Sequence, residues 1–359
     1  MFNKYYGSTS ESSDSDVPPA DKLVKTMDLN YLMLDSHSIQ KHLEDVCVHS
    51  RPETIDTILL NHNTIVALPQ IIDRFQHLRV LDISNNRITS IPEFIVRLPL
   101  HTLIAKNNLI DDEGIPKTFE SQLKVLNISG NRLIHFPDQI LMISSLEYLY
   151  MGSNHLVEIP KDIDRLIRLK FLCLGGNNLS DVPVTLGQLD NMKALNLSHN
   201  SLESLPQSIA NLKNLKSLML HKNRLRTLPV EIVSLKCLSE LSLRDNPLVV
   251  RFVSDMTHNP PTLLELSARI IKINNVPYGE RDLPHSLIEY LSSAHHCVNP
   301  KCKGVFFDDR VEHIKFVDFC GKYRIPLLQY LCSSKCIVNN SNVCDDSTDS
   351  KMMRKVLLG

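Results

Sequence analysis

Cysteine is the residue whose type and spacing most clearly indicate chemistry in this sequence of 359 residues. Cys297 and Cys302 enclose four residues. Cys332 and Cys336 enclose three, and 29 residues (303–331) separate the two pairs. Two pairs of thiolates on turns can supply all four ligands of a tetrahedral zinc ion. The spacing therefore predicts a structural zinc site, with no open position for catalysis.

Three further residues could contribute to this site. Cys320 lies between the two pairs, and His295 and His296 precede the first pair. Any of them could replace one cysteine, because zinc accepts sulfur and imidazole ligands alike. The alternative is that the cysteines are buried free thiols, which are common in protein interiors.

The sequence contains none of the common arrangements for catalysis. It has no glycine-rich phosphate loop, no H-E-x-x-H and no G-x-S-x-G segment. His62, His199 and His221 are scattered at positions expected to face solvent. We therefore predict that the chain is not an enzyme.

Charge and composition restrict the possible partners and compartments. Lys and Arg total 39 against 40 for Asp and Glu, so no net field favours nucleic acid or an anionic membrane. No apolar run approaches the roughly 18 residues of a membrane span. The Ser- and Asp-rich segment Ser8 to Asp16 lacks the apolar core of a signal peptide. With an odd number of cysteines, these features predict a reducing compartment, the cytoplasm or also the nucleus.

An asparagine recurs at a nearly constant interval, and such internal repetition is the strongest pattern in the sequence. The interval is 23 residues once, then 22, then 23 at every later step. Each asparagine closes a segment of the form L-x-x-L-x-L-x-x-N, for example Leu169 to Asn177. The nine asparagines are Asn63, Asn86, Asn108, Asn131, Asn154, Asn177, Asn200, Asn223 and Asn246.

This pattern is typical of the leucine-rich repeat. Its leucines stack inward, and its asparagine amide satisfies backbone groups where the chain leaves a short parallel strand. No repeat buries its apolar face alone, so neighbouring repeats must stack. We therefore predict an α/β fold, with a leucine-rich-repeat solenoid of about nine repeats of 23 residues and a small helical, zinc-stabilised C-terminal domain.

The ends of a solenoid expose its core and need caps. After a disordered tail at 1–19, we expect a helical N-terminal cap at 20–52 and the solenoid at 53–250. Three C-terminal segments are expected to follow. They are helices at 259–294, a cysteine-rich zinc module at 295–338 and a flexible tail at 339–359.

Residues between the leucines should point to the concave face. Aromatic, Met and Arg side chains there are the types enriched in protein interfaces. Tyr148 and Phe171 hold the same position in consecutive repeats and should lie side by side. The alternative is that any solenoid exposes some aromatics. The residues predicted to bind a target protein are Tyr148, Tyr150, Phe171, His199, Met219, His221, Lys222 and Arg244.

A helix is predicted directly after the repeats. Thr262 to Glu265 has the form of a capping box, with Thr262 as the N-cap. Leu263, Ser267 and Ile271 follow at i, i+4 and i+8, which predicts that they share one face. A small residue between two aliphatic ones would let another backbone approach this face closely.

The spacing in this helix resembles the elongin-binding box of substrate receptors of cullin–RING ubiquitin ligases. That box has Ser, Thr or Pro before Leu, then a small residue and an aliphatic residue, each after three others. Thr262, Leu263, Ser267 and Ile271 match it, with Ser267 where cysteine is most typical. The resemblance implies that the helix binds elongin C, which acts together with elongin B.

A second helix should begin about a dozen residues later, with Pro284 in its first turn. Leu283-Pro284-x2-Leu287-x2-Tyr290 is similar to the cullin box that follows the elongin box in such receptors. The order of the boxes resembles leucine-rich-repeat receptors that work with cullin-2, although cullin-5 fits as well. An ordinary amphipathic helix that caps the solenoid would show the same pattern.

The resemblance implies a substrate-recognition subunit whose post-repeat helices bind elongin C and a cullin while the concave face binds a target protein. Two alternatives use only the concave face. One is a scaffold for signalling proteins, and the other is a regulatory subunit of an enzyme such as a phosphatase. Only the first function requires Leu263 and Pro284 to contact outside partners.

Overall fold

A parallel sheet of eleven short strands extends along the repeats in this computed structural model. The structure describes residues 25–49, 51–119, 122–249, 261–299, 302–318, 324–336 and 355–357. Each strand of the sheet is parallel to its neighbours. In spatial order the strands are β1 (Lys25–Asp28), β2 (Ile55–Leu59), β3 (Val80–Asp82), β4 (Thr102–Ile104), β5 (Val125–Asn127), β6 (Tyr148–Tyr150), β7 (Phe171–Cys173), β8 (Ala194–Asn196), β9 (Ser217–Met219), β11 (Glu240–Ser242) and β16 (Lys355–Leu357).

The repeat leucines form one continuous core behind this sheet, which confirms the predicted solenoid. The central leucine of each strand from β3 to β9, and of β11, is buried, as Leu126, Leu149 and Leu172 illustrate. Burying a side chain of this size contributes about 1.5–3 kcal/mol. Because every repeat shares its core with the next, the stability is collective.

The asparagine of each repeat links three segments of backbone, as the sequence predicts. The Asn86 amide donates to the carbonyls of Leu60 and Ile83, both at 3.0 Å, and its carbonyl accepts from the Ile65 N–H at 3.1 Å. Seven of the nine asparagines are buried. A buried backbone group without a partner is costly, so this ladder of side chains holds the turn after each strand.

The other side of the repeats consists of short helical turns, most of which directly follow a proline that an apolar residue precedes, as at Leu68-Pro69; the turns at Pro52–Thr54 and Asp112–Gly114 do not. One is α-helical, α2 (Glu93–Arg97). The remaining turns are 3-10 helices, at Pro52–Thr54, Gln70–Arg74, Asp112–Gly114, Asp138–Met142, Lys161–Arg165, Val184–Gln188, Gln207–Asn211 and Val230–Ser234.

The N-terminal end of the solenoid is covered by a helix and a strand together. Helix α1 (Ser36–His49) buries Ile39 and Leu43 in the main core. The sequence predicts a helical cap, but strand β1 also pairs with β2 and extends the sheet. The tail at 1–19 lies outside the described residues.

The C-terminal domain contains more strand than the helical prediction allows. Helices α3 (Leu263–Ile273) and α4 (His285–Ser292) are present. They are followed by strands that the sequence did not predict, because residues 311–318 do not alternate strictly between apolar and polar side chains and Pro326 interrupts residues 324–331. These are β12 (His295–His296), which pairs with β13 (Val305–Phe306), and the antiparallel hairpin of β14 (Val311–Asp318) and β15 (Arg324–Leu331).

Strand β15 of this hairpin, and not α3 or α4, closes the solenoid. It pairs with β10 (Leu228–Pro229) of the last complete repeats. Ile325 and Leu327 join the main core. The chain's final described strand, β16, lies within the tail predicted at 339–359 and pairs with β11. The other residues of that tail lie outside the described part of the chain.

Candidate functional site

Helix α3 begins where the sequence predicts, and Thr262 holds its first turn. The Thr262 hydroxyl accepts a hydrogen bond from the Glu265 backbone N–H at 3.2 Å. This satisfies one of the four N–H groups left without a partner at a helix start. Thr262 therefore acts as the N-cap of the helix as well as standing at the start of the elongin-box pattern.

The outer face of α3 is apolar and exposed. Leu263 is 81% exposed and Ile270 is 60% exposed, with the exposed Ser267 between them. The Ser267 hydroxyl donates to the Leu263 carbonyl at 2.8 Å, so its donor is used within the helix. Large exposed apolar patches on soluble proteins mark interaction sites. The other large apolar residues exposed on this helix are Leu264, Leu266 and Ile273.

Ile271 does not share this outer face. It is half-buried and packs with Ala268 and Leu291 in a small core separate from that of the solenoid. Eight residues of α-helix turn about 80° beyond two full turns, which carries Ile271 inward. The prediction that Leu263, Ser267 and Ile271 share one exposed face is therefore wrong for Ile271. Ile270 is the aliphatic residue that lies on the outer face with Leu263 and Ser267.

The inner face of α3 carries a buried ion pair between Glu265 and Arg269. The Glu265 side chain is 0% exposed. Its carboxylate accepts hydrogen bonds from the Arg269 guanidinium and from the N–H groups of Phe307 (3.1 Å) and Asp309 (2.7 Å). Burial alone would raise the pKa of Glu265, but these donors outweigh burial and hold the pKa below its ordinary value. The carboxylate stays ionised and ties α3 to the segment after β13.

Arg269 connects α3 to two further backbone positions. Its Nη1 donates to the Cys332 carbonyl at 2.8 Å, and its Nη2 donates to the Asp309 carbonyl. The Thr262 N–H donates to the Asp309 carboxylate at 2.9 Å. The beginning and the middle of α3 are thus attached to the cysteine-bearing module. The sequence shows Glu265 and Arg269 at i and i+4, but that spacing is also typical of a solvated surface pair.

Helix α4 presents fewer of its predicted contact residues than α3. Pro284 is exposed and precedes the first residue of the helix, whereas Leu283, Leu287 and Tyr290 are half-buried. The Tyr290 ring stacks on the Phe307 ring with centroids 4.7 Å apart. Burial, together with nearby carboxylates, raises the pKa of Tyr290 to about 12. Tyr290 is therefore a neutral packing residue that leaves only part of its surface for a partner.

The four cysteines predicted to bind a metal lie together. Their Sγ atoms are all within 4.8 Å of one another. The Cys332 Sγ is 3.5 Å from the Sγ atoms of both Cys302 and Cys336. Four sulfurs bound to a tetrahedral zinc ion at about 2.3 Å are about 3.8 Å apart. With Cys297, these residues form a cluster that could hold a metal ion with little adjustment.

Backbone hydrogen bonds hold two of these thiols. The Cys302 N–H donates to the Asn299 carbonyl at 2.9 Å, and the Cys336 N–H donates to the Ser333 carbonyl at 3.1 Å. The Asn299 side chain donates to the Cys336 carbonyl at 3.0 Å, which links the turns of the two pairs. The cluster is therefore organised by backbone geometry as well as by the thiols.

Gly304 allows the two pairs to approach each other. A Cβ atom at this position would lie 2.5 Å from the Cys332 Sγ and 3.0 Å from the Cys302 Sγ. The Gly304 N–H also donates to the Cys302 Sγ at 3.2 Å, a contact that stabilises a thiolate. Only glycine fits here without moving the sulfurs, and no pattern in the sequence indicates this requirement.

The other ligands considered from the sequence are not part of this cluster. His295 and His296 are exposed on β12, and the metal-ligand group found among the described residues consists of the four cysteines. Cys320 lies outside the described residues.

An aromatic surface lies in the middle of the repeats. Tyr148 and Phe171 are in register on β6 and β7, as predicted. The Tyr150 ring lies 4.8 Å from the Phe171 ring at an angle of 35°. All three side chains are half-buried, so they combine rigid packing with accessible apolar surface.

The later repeats add a basic and imidazole-bearing surface. The rings of His199 and His221 are 5.3 Å apart, and Lys222 and Arg244 are exposed beside them. Burial, followed by the positive charges of neighbouring residues including Arg244, lowers the pKa of His221 below its ordinary value. Met219 is only 8% exposed. The prediction that Met219 contributes to the contact surface is therefore wrong, because its side chain is buried.

Known proteins resemble this chain over most of its length. The family model described as "Leucine-rich repeat region" matches residues 157–296, and "Leucine rich repeat" matches residues 121–179. Leucine-rich repeat-containing protein 58 of Xenopus laevis is 63% identical over 328 residues, which are 89% of this chain and 93% of that protein. The chain belongs to the leucine-rich repeat-containing protein 58 family. The Homo sapiens protein of that name is 65% identical over 289 residues, 78% of each chain.

The fold also agrees with solved structures. A crystal structure of a TDR receptor matches 63% of this chain and 44% of that chain, with a TM-score of 0.50 and 23% sequence identity. This level of similarity shows the fold alone.

The leucine-rich repeat-containing protein 58 family and the repeat architecture support a protein-interaction scaffold, and no catalytic family is indicated. No helix in the described parts of the chain combines the length and apolar character needed to cross a bilayer.

Proposed function

We propose that this chain is the substrate-recognition subunit of a cullin–RING E3 ubiquitin ligase. In this function α3 and α4 bind elongin C, with elongin B, and a cullin, either cullin-2 or cullin-5. The concave face binds an unidentified target protein. The observation that carries the proposal is the outer face of α3, where Leu263 and Ile270 flank the small residue Ser267 and are exposed.

The alternative of a simple solenoid cap accounts poorly for that face. A cap buries its aliphatic side chains against the repeats, but Ile325 and Leu327 of β15 already join the solenoid core. Helix α3 packs instead on the small core that contains Ala268. Packing within the described part of the chain therefore does not account for its exposed aliphatic residues. A helical face of this kind fits an apolar groove on a partner.

Such a receptor carries no chemistry of its own. Helices α3 and α4 would hold the ligase subunits while the aromatic and basic surfaces of the repeats hold the target. The target's lysines would then lie at high effective concentration near the ubiquitin-loaded enzyme. The cytoplasm, or also the nucleus, is where such a protein would work, and thiols there stay reduced.

We also propose that the cysteine cluster binds zinc. Four thiolates in tetrahedral reach of one another are the donor set of structural zinc sites, and they leave no open position for a substrate. Elemental analysis of the purified full-length protein should find about one zinc per chain. Replacing Cys302 and Cys332 by serine should abolish that zinc. A content well below one zinc in the wild-type protein would contradict this assignment.

Affinity capture from cells tests the receptor function. The informative variant is Leu263→Asp with Ile270→Asp. A matched control is Ile167→Asp with Val184→Asp, because these residues are 61% and 66% exposed on the repeats. Wild type and control should bring down elongin B, elongin C and one of the two cullins, and the α3 variant should lose all of them. Equal thermal stability of the three proteins shows that the loss is local.

The result also separates the alternatives. If neither wild type nor control brings down elongins or cullins, α3 has another use, and the chain acts as a signalling scaffold or a regulatory subunit. A variant with Tyr150→Ala and Phe171→Ala should keep the elongins but lose the target, because these side chains lie on the concave face.

A further inference from the structure

The segments that hold α3 in place belong to the same module as the four cysteines. The Glu265 carboxylate accepts from the N–H groups of Phe307 and Asp309, just after β13. Strand β13 pairs with β12, which leads directly into Cys297, and the Cys297 N–H donates to the Gly304 carbonyl at 2.9 Å. The first cysteine pair and the anchor of α3 are therefore adjacent parts of one short chain segment.

The second cysteine pair is connected to α3 through Arg269. The Arg269 side chain is only 12% exposed, and its Nη1 donates to the carbonyl of Cys332, itself one of the four cysteines of the cluster. Its guanidinium also binds the Glu265 carboxylate and the Asp309 carbonyl. A single side chain thus joins α3 to Cys332 of the second pair and to Asp309, which follows the first pair along the chain.

Little else is available to fix the helix. Among the residues that the structure describes, the core beneath α3 has four buried residues, Ala268, Leu291, Val305 and Phe307, with five partly buried apolar residues packed around them. A core of this size stabilises a fold poorly without a cross-link such as a metal. A buried ion pair is favourable only when its geometry is held accurately, because both charges have left water.

We propose that the metal at the cysteine cluster positions the docking helix α3, and that Glu265 and Arg269 are the positioning residues that transmit its effect. Metal binding joins the Cys297–Cys302 segment to the Cys332–Cys336 segment. The N–H groups of Phe307 and Asp309 and the carbonyls of Asp309 and Cys332, which hydrogen-bond to the ion pair, then keep their positions relative to one another. Without the metal the two segments separate, the ion pair loses its partners, and α3 no longer presents Leu263 and Ile270 in a fixed orientation.

This inference rests on the proposed zinc site and, in naming elongin C as the partner of α3, on the proposed receptor function. Its test therefore has a readout that needs no partner. Hydrogen exchange of the full-length protein is measured with bound zinc and after removal of the metal by a chelator. Amides of α3 should exchange at least about tenfold faster after removal, as expected when a charged buried hydrogen bond is lost. Amides of β5 to β8 should be unchanged.

The variant Arg269→Met separates positioning from metal binding, because Arg269 contacts a cysteine carbonyl and no thiol. It should keep the zinc content of wild type, yet show faster exchange in α3 and binding to purified elongin B–elongin C weakened about tenfold or more. Lys272→Met is the control, since Lys272 lies on the same helix and contacts the Tyr278 ring instead of the cluster.

Exchange in α3 that does not change when zinc is removed would overturn the inference, and so would equal behaviour of Arg269→Met and Lys272→Met. If the wild-type protein does not bind elongin B–elongin C at all, the proposed function fails. The exchange measurement then still decides whether the metal positions α3.

Discussion

Gly304 shows how a single residue can determine whether four thiols lie close enough to bind one metal ion. Its missing side chain leaves the space in which the sulfurs of Cys302 and Cys332 approach each other. The sequence predicted the four cysteines because their spacing is informative. It could not predict Gly304, because a glycine in a loop has many possible reasons and only the folded distances select one.

Gly304→Ala should weaken zinc binding by about tenfold or more, the usual effect of disturbing residues behind the ligands. The added methyl group would push the sulfurs out of tetrahedral spacing. Competition with a chromogenic chelator measures the affinity. Gly279→Ala is the control, because its Cβ would come no closer than 3.8 Å to Asp282, and it should bind zinc like wild type.

The imidazole of His221 should titrate below the ordinary histidine range. Burial favours its neutral form, and the charge of Arg244 disfavours the imidazolium further. A depressed pKa means that the unfolded chain binds a proton first, so stability is complete above the ordinary histidine pKa and falls as pH drops toward the folded value. NMR titration of Arg244→Gln should show the pKa of His221 moving upward. An unchanged or lower pKa would contradict this electrostatic account.

Helix α3 illustrates how far a sequence pattern determines an element and where it fails. The capping box located its start at Thr262. The i, i+4, i+8 rule placed Ile271 on the outer face, but the helix turns Ile271 into the small core and Ile270 outward. The spacing of residues gives their angular positions around the helix axis. Which side of the helix faces the core depends on the segments that pack against α3, and the spacing does not show it.

Thr262→Ala should destabilise α3 by about 1 kcal/mol through loss of its N-cap hydrogen bond. Hydrogen exchange should rise in the first turn of the helix and remain unchanged in α1. Ser267→Ala is the control, since the Ser267 hydroxyl bonds only within the helix and is exposed. Equal effects of the two changes would mean that Thr262 does not act as the cap.

The whole molecule is a solenoid closed at its C-terminal end by part of a second domain. The repeats were predictable because their asparagine recurs nine times at a nearly constant interval and each repeat packs on the next. The closure was not, since β15 reaches β10 through a pairing of distant segments that carries no local pattern. The sequence predicted two helices after the repeats and left open whether they cap the solenoid, yet the hairpin supplies Ile325 and Leu327.

Leu327→Ala should lower the stability of the solenoid by about 2–5 kcal/mol, because Leu327 is fully enclosed in the main core. Chemical denaturation followed by far-ultraviolet circular dichroism measures the change. Leu291→Ala lies in the separate core under α3 and α4, so it should leave the main transition in place. If both variants shift that transition equally, the two cores are not independent.

Calorimetric titration of the purified full-length protein with elongin B–elongin C tests the central claim most directly. Wild type should form a one-to-one complex with a negative heat-capacity change, because the aliphatic face of α3 leaves water on binding. The Leu263→Asp, Ile270→Asp variant should give no binding heat, and the Ile167→Asp, Val184→Asp control should bind like wild type. Equal binding by all three proteins, or none by wild type carrying its zinc, would contradict the assignment of α3 as the docking helix.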